Sequence, residues 1–124
     1  MKSNSTKYQT TDEQIRLYET ITPLLTAAYS ELKELSKKKQ DDSLNIGKVK
    51  MINRLLLKAK DILKKEPTNE YLDILDEEEL PTNSDAVLIV SQFISALSTF
   101  KVAHRINEAF SKVWDNPGHW VQDK

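Results

Sequence analysis

The sequence predicts an all-α fold, an antiparallel helical bundle of three long helices plus one short helix. Along most of the 124 residues, apolar side chains recur at spacings of three and four, which is typical of amphipathic helices. No segment alternates apolar and polar residues for long enough to indicate a strand. The chain has only two glycines, too few for a series of tight hairpins. Short polar links between the periodic segments favour antiparallel neighbours.

The length and composition suit one domain. A chain of 124 residues with 39% hydrophobic residues can fill a single core. We expect a disordered lead-in at 1–9, one helical-bundle domain at 10–115 and a C-terminal tail at 116–124.

The first helix should start at Thr10, which forms a capping box with Glu13, and should end near Lys38. Pro23 lies inside it and removes one backbone hydrogen bond. Its apolar face is made of Tyr18, Ile21, Leu25, Ala28, Leu32 and Leu35, broadened by Ile15, Leu17 and Leu24.

The second helix is expected from about Leu44 to Lys65. One broad face of this helix is apolar and consists of Leu44, Val49, Met51, Ile52, Leu55, Leu56, Ala59, Ile62 and Leu63. After Pro67, a short third helix capped by Thr68 would bury Tyr71, Leu72, Ile74 and Leu75.

A fourth helix, capped by Asn83 or Ser84, should run to about Trp114. Together the helices predict a core that includes Leu25, Leu32, Leu55, Ile62, Phe93 and Leu97.

Most classes of catalytic and metal site are excluded by composition. The absence of cysteine removes thiolate metal sites, disulfides and thiol catalysis, and two glycines cannot form a glycine-rich phosphate loop. No Glu-x-x-His motif is present for a di-iron site, and His104 with Glu108 supplies too few ligands for a metal. We therefore predict no catalytic residue, no metal and no cofactor. No signal peptide or long apolar run is visible, so cytoplasmic localisation without a membrane partner is expected.

Charge is strongly segregated despite a net charge of −1. Residues 33–65 contain eleven Lys or Arg against four acids, whereas residues 66–85 contain eight acids and no basic residue. A candidate face for nucleic acid or an acidic partner is formed on the second helix by Lys50, Arg54, Lys58 and Lys65. Leu57 at the margin of this face is a candidate apolar centre for an acidic partner. A third interpretation is that the acidic segment partly neutralises the second helix within the molecule.

The apolar stripe of the fourth helix changes sides near residues 98–101. No Pro or Gly forces a break there, so the two halves should pack against different neighbours. For the second half we expect a two-fold dimer; the competing possibility is that the start of the first helix covers it within one chain. The predicted interface residues are Ile106, Phe110, Val113 and Trp114.

These observations predict a non-catalytic interaction or regulatory module that acts through protein–protein contacts. The alternative is a nucleic-acid-associated accessory protein that uses the basic face of the second helix. The second reading is weaker, because that face has a single Arg and no aromatic residue to stack on bases.

Overall fold

A computed structural model describes the backbone of residues 11–111 and the side chains of residues 11–103. The described chain is all-α, with three long helices and one 3₁₀ helix, and contacts between the helices form a bundle. The elements are α1 (Asp12–Lys39), α2 (Ile46–Ile62), the 3₁₀ helix (Pro67–Tyr71) and α3 (Asn83–Ser111), which is the fourth helix of the sequence prediction.

The start of α1 is a capping box, one residue later than the sequence predicted. The Gln14 N–H donates to Oγ1 of Thr11 at 3.1 Å, and the Thr11 N–H donates to Oε1 of Gln14 at 3.1 Å. Gln serves as well as Glu at this position, so the box at Thr11 uses the same chemistry. Thr10 lies outside the described residues.

Contacts at the helix ends give the directions of the bundle. Nε2 of Gln14 donates to the Ile62 carbonyl, so the first turn of α1 lies beside the last turn of α2. At the other end of α1, the Asn83 amide Nδ2 donates to the Lys39 carbonyl at 2.8 Å. Helix α1 is therefore antiparallel to both α2 and α3, and these two run parallel to each other. Helix α1 packs extensively on both, while α2 and α3 touch little.

The predicted length of the short third helix is wrong. The 3₁₀ helix ends at Tyr71, and the chain is then without helix as far as residue 82. Because α2 and α3 are parallel, this segment must return along the whole of α2, a 17-residue helix about 25 Å long. Eleven helical residues would cover only about 16 Å, whereas extended residues reach about 36 Å.

The extended segment, residues 72–82, is held against α2 by a buried amide. Nδ2 of Asn53 donates to the Leu75 carbonyl at 2.8 Å, and the Leu75 N–H donates to Oδ1 of Asn53 at 2.8 Å. Nζ of Lys60 donates to the carbonyls of Asn69 and Leu72. Leu72 and Leu75 are buried, while Tyr71 and Ile74 are exposed. Only two of the four residues predicted to form a buried apolar face are therefore buried.

The core lies where α1 meets the other two helices. Of the six residues predicted for the core, Leu55 is the exception, because it is half-buried at the edge between α1 and α2. The other five are buried, namely Leu25, Leu32, Ile62, Phe93 and Leu97.

Helix α3 begins one residue earlier than predicted, with a different cap. Oγ1 of Thr82 accepts a hydrogen bond from the Asp85 N–H at 3.1 Å, so Thr82 rather than Asn83 or Ser84 caps the helix. Asn83 instead satisfies a carbonyl at the end of α1. The first half of α3 supplies Ala86, Val90, Phe93, Ala96, Leu97 and Phe100 to the core.

One stretch of α3, Asn83–Ala103, is long and apolar enough to cross a membrane, with a mean hydropathy of 1.6 over its best window. The central helix of a bundle has the same composition. Apart from Leu88 and Val102, the large apolar side chains of this stretch are buried or packed against the core. Within the bundle, 28% of this window is buried.

The neighbouring residues Leu24 and Leu25 give a matched test of the core. Leu25 is fully buried, whereas Leu24 is 55% exposed. Leu25→Ala should lower the free energy of unfolding by about 2–5 kcal/mol, because it leaves a cavity. Leu24→Ala should lower it by less than about 1 kcal/mol. Urea denaturation of both variants measures this, and equal losses would show that the face of α1 is misassigned.

Removing the amide of Asn53 should loosen the extended segment. Asn53→Ala leaves both backbone groups of Leu75 without their partner and should cost about 1–3 kcal/mol. Hydrogen exchange at the Leu75 amide should accelerate more than exchange in the middle of α1. In Asn53→Asp, an ionised carboxylate can still accept from Leu75 but cannot donate, so this variant should also be destabilised at neutral pH. Wild-type stability in both variants would contradict the assigned role.

Candidate functional site

An open apolar groove of about 630 Å³ runs between α1 and α2. We call it the α1–α2 groove. Its apolar floor is formed by Leu17, Ile21, Leu24, Ala27, Ala28 and Leu32 of α1 together with Met51, Ile52 and Leu55 of α2.

The groove exists because both helices have apolar faces wider than the core covers. On α1, Leu25 and Leu32 point into the core, and Leu17 and Leu24 form a second apolar row beside them. Ala27 and Ala28 have no side chain beyond Cβ, which leaves depth between the two helices.

The floor of the groove is open to solvent at Leu24 and Met51, whereas Ile21, Leu32 and Ile52 of the floor are buried. Leu24 is 55% exposed and Met51 is 56% exposed, and both line the same groove. Single exposed apolar residues are common on soluble proteins, but a contiguous set between polar rims is typical of an interaction surface. The arrangement is therefore suited to bind an apolar surface.

The rim of the groove is positively charged along α2. Lys48, Arg54 and Lys58 line it on that side, while α1 contributes Thr20 and Glu31. Among the described side chains these three cations have no ion-pair partner. The rim therefore carries an excess of positive charge.

The acidic segment does not neutralise this rim by contact. Its attachment points on α2, Asn53 and Lys60, are seven residues apart and share one side of the helix. Met51, Leu55 and Lys58 lie about 140° to 200° around α2 from Asn53. In the described part of the chain, the carboxylates of residues 73–79 form no ion pair with α2. The expected pairing of the acidic segment with the basic face is not found.

Three of the four residues of the predicted basic face, Lys50, Arg54 and Lys58, are exposed and follow one another at intervals of four residues on one side of α2. Arg54 and Lys58 line the groove, where Lys48 joins them. Lys50 is exposed but is not part of the lining, and Lys65 lies in the turn after α2.

Of the predicted interface residues, Leu57 is the one whose side chain the structure describes. It is 53% exposed and is not part of the groove lining, so its role in an interface stays a prediction. The predicted dimer interface of Ile106, Phe110, Val113 and Trp114 lies outside the described side chains and also stays a prediction.

The acidic turn at residues 76–79, within the extended segment, has a structural explanation. The N–H groups of Glu79 and Glu78 donate to Oδ1 of Asp76, and these two hydrogen bonds lower the pKa of that exposed carboxyl. A hydrogen-bonded turn of this kind stabilises the local backbone. Within the described residues, no group of three or more His, Asp or Glu side chains is placed to bind a metal ion.

Sequence reasoning assigned Leu24, Met51 and Leu55 to helix-packing faces and missed that they line a groove. The sequence feature that could have indicated these groove residues is the width of the apolar face of α2. The apolar face of α2 spans about 160° of the helix, from Met51 at one edge to Val49 at the other, which is wider than the stripe of roughly 100° typical of a helix that packs on a core.

The exposure of Leu57 predicts a small effect on stability. Leu57→Glu should change the melting temperature by no more than about 2 °C, since substitutions at exposed positions usually have little effect. Differential scanning calorimetry measures this. A large decrease would mean that Leu57 belongs to the core.

Comparison with known proteins identified no relative of this chain. No protein-family model, curated protein or solved structure matches the chain.

Proposed function

We propose that this protein is a non-catalytic interaction module whose α1–α2 groove binds one helix of a partner protein. The observation that carries the proposal is the open apolar floor, in which Leu24 and Met51 are each more than half exposed. Covering this floor would remove apolar surface from water, at roughly 25 cal/mol per Å².

A helix suits this groove better than an extended peptide does, because the groove walls offer few free backbone groups for hydrogen bonding. Both walls are α-helices, whose backbone groups are hydrogen-bonded within each helix. An extended peptide laid on the floor would find few backbone partners, and unpaired buried backbone groups are costly. A helix satisfies its own backbone and presents only side chains.

The length of the groove agrees with a helical partner. The α1 lining runs from Leu17 to Leu32, which corresponds to about 22 Å along the helix axis. A partner helix of about four turns would match this length. Small-molecule pockets usually enclose most of their ligand, whereas this groove is open along its side.

A designed peptide tests the proposal. The probe is a fluorescein-labelled amphipathic helix of about 18 residues, with leucines at i, i+3, i+4 and i+7 and glutamines elsewhere. We expect saturable binding to the wild type by fluorescence anisotropy. Leu24→Glu and Met51→Glu should each weaken binding about tenfold or more, which is about 1.4 kcal/mol.

Leu88→Glu is the matched control. Leu88 is 59% exposed but lies on α3, away from the groove. It should leave binding unchanged, and circular dichroism should show that all variants keep their helices. Absence of saturable binding, or an equal loss in Leu88→Glu, would contradict the proposal. Retention on heparin at about 50 mM salt without peptide binding would favour the nucleic-acid alternative instead.

A further inference from the structure

We infer that the helix bound in the α1–α2 groove is acidic, with Asp or Glu along the flank that faces α2. This inference rests on the proposed function and names the chemistry of the partner. It is carried by the charges of the rim.

The two sides of the groove differ in charge. All three cations of the lining, Lys48, Arg54 and Lys58, belong to α2. The polar groups on the α1 side are Thr20 and Glu31, so that side is neutral to negative. A partner helix therefore meets positive charge on one flank of its apolar face and none on the other.

The cations are spread along the groove. From Lys48 to Lys58 the distance along the α2 axis is about 15 Å, nearly three turns. Arg54 and Lys58 are about 6 Å apart along the axis, close to one helical turn, and Lys48 lies about 9 Å before Arg54. Two acids one turn apart on a neighbouring helix would therefore meet Arg54 and Lys58, and a third acid towards the start of α2 would meet Lys48.

Acidic residues of the described chain do not pair with the three cations of the rim. The acidic residues 73–79 are attached to α2 through Asn53, which donates to the Leu75 carbonyl and to the Glu77 carboxylate, and not through a residue of the groove rim. Glu31 lies on the rim but forms no ion pair with Lys48. No acid among the described residues therefore pairs with the positive flank.

Three peptides separate the contribution of charge from that of the apolar face. They share the leucine pattern of the probe and carry Glu, Gln or Lys at the flanking positions. For the wild type, the Glu peptide should bind about tenfold more tightly than the Gln peptide, and the Lys peptide more weakly. A factor of ten, about 1.4 kcal/mol, is within what three exposed ion pairs provide. The difference should shrink between about 50 and 500 mM NaCl.

A double charge-reversal variant tests whether the rim of the groove causes the preference for the Glu peptide. The double variant Arg54→Glu with Lys58→Glu should reverse the order, so that the Lys peptide binds most tightly. The matched control is Lys33→Glu with Lys65→Glu, which changes the net charge equally at exposed sites outside the lining. This control should keep the wild-type order. Circular dichroism and urea denaturation check that both double variants fold.

The outcomes distinguish the two proposals. Equal binding of the three peptides, or an unchanged order after Arg54→Glu with Lys58→Glu, would overturn the acidic partner and leave the groove as a binding site. Absence of binding by all three would overturn the proposed function itself. Self-association of the wild type in light scattering, lost in Arg54→Glu with Lys58→Glu, would assign the groove to a second copy and overturn the separate partner.

Discussion

The return of the chain from the end of α2 to the start of α3 is the constraint on which the described structure depends. Because the two helices are parallel, residues 72–82 must pass along α2, and they do so without helix and with one turn at residues 76–79. Asn53 holds this segment at one edge of α2 by pairing both backbone groups of Leu75. Among the described residues, no equivalent segment covers the opposite edge of α2, and the groove lies there.

The groove stays open because the core sets how close α1 and α2 can come. Leu25 and Leu32 of α1 and Leu56 of α2 are fully buried and keep the two helices apart. Ala27 and Ala28 are too small to fill the space above them. An apolar floor of this kind would supply most of the affinity for a partner, while the charged rim would influence which partner associates and how fast.

The structure shows where the acidic and basic segments of the sequence lie relative to α2. The acidic segment is attached to α2 at Asn53 and Lys60, whereas Met51, Leu55 and Lys58 of the groove lie about 140° to 200° around the helix from Asn53. Arg54, the residue after Asn53, lies about 100° from it. Among the described residues, no ion pair joins the acidic segment to the groove rim.

Local patterns in the sequence determined the all-α class, the three long helices and most of the core, because capping and 3.6-residue periodicity act between near neighbours. The sequence could not reveal that residues 72–82 are extended, since Leu72 and Leu75 fit a helix equally well. It also could not show which apolar residues would remain uncovered. Leu55 and Met51 share the broad face of α2 with buried Leu56, and only the number and position of neighbouring elements separates them. Burial on such a face depends on contacts between distant parts of the chain, so the tertiary structure decided the groove and its charged rim.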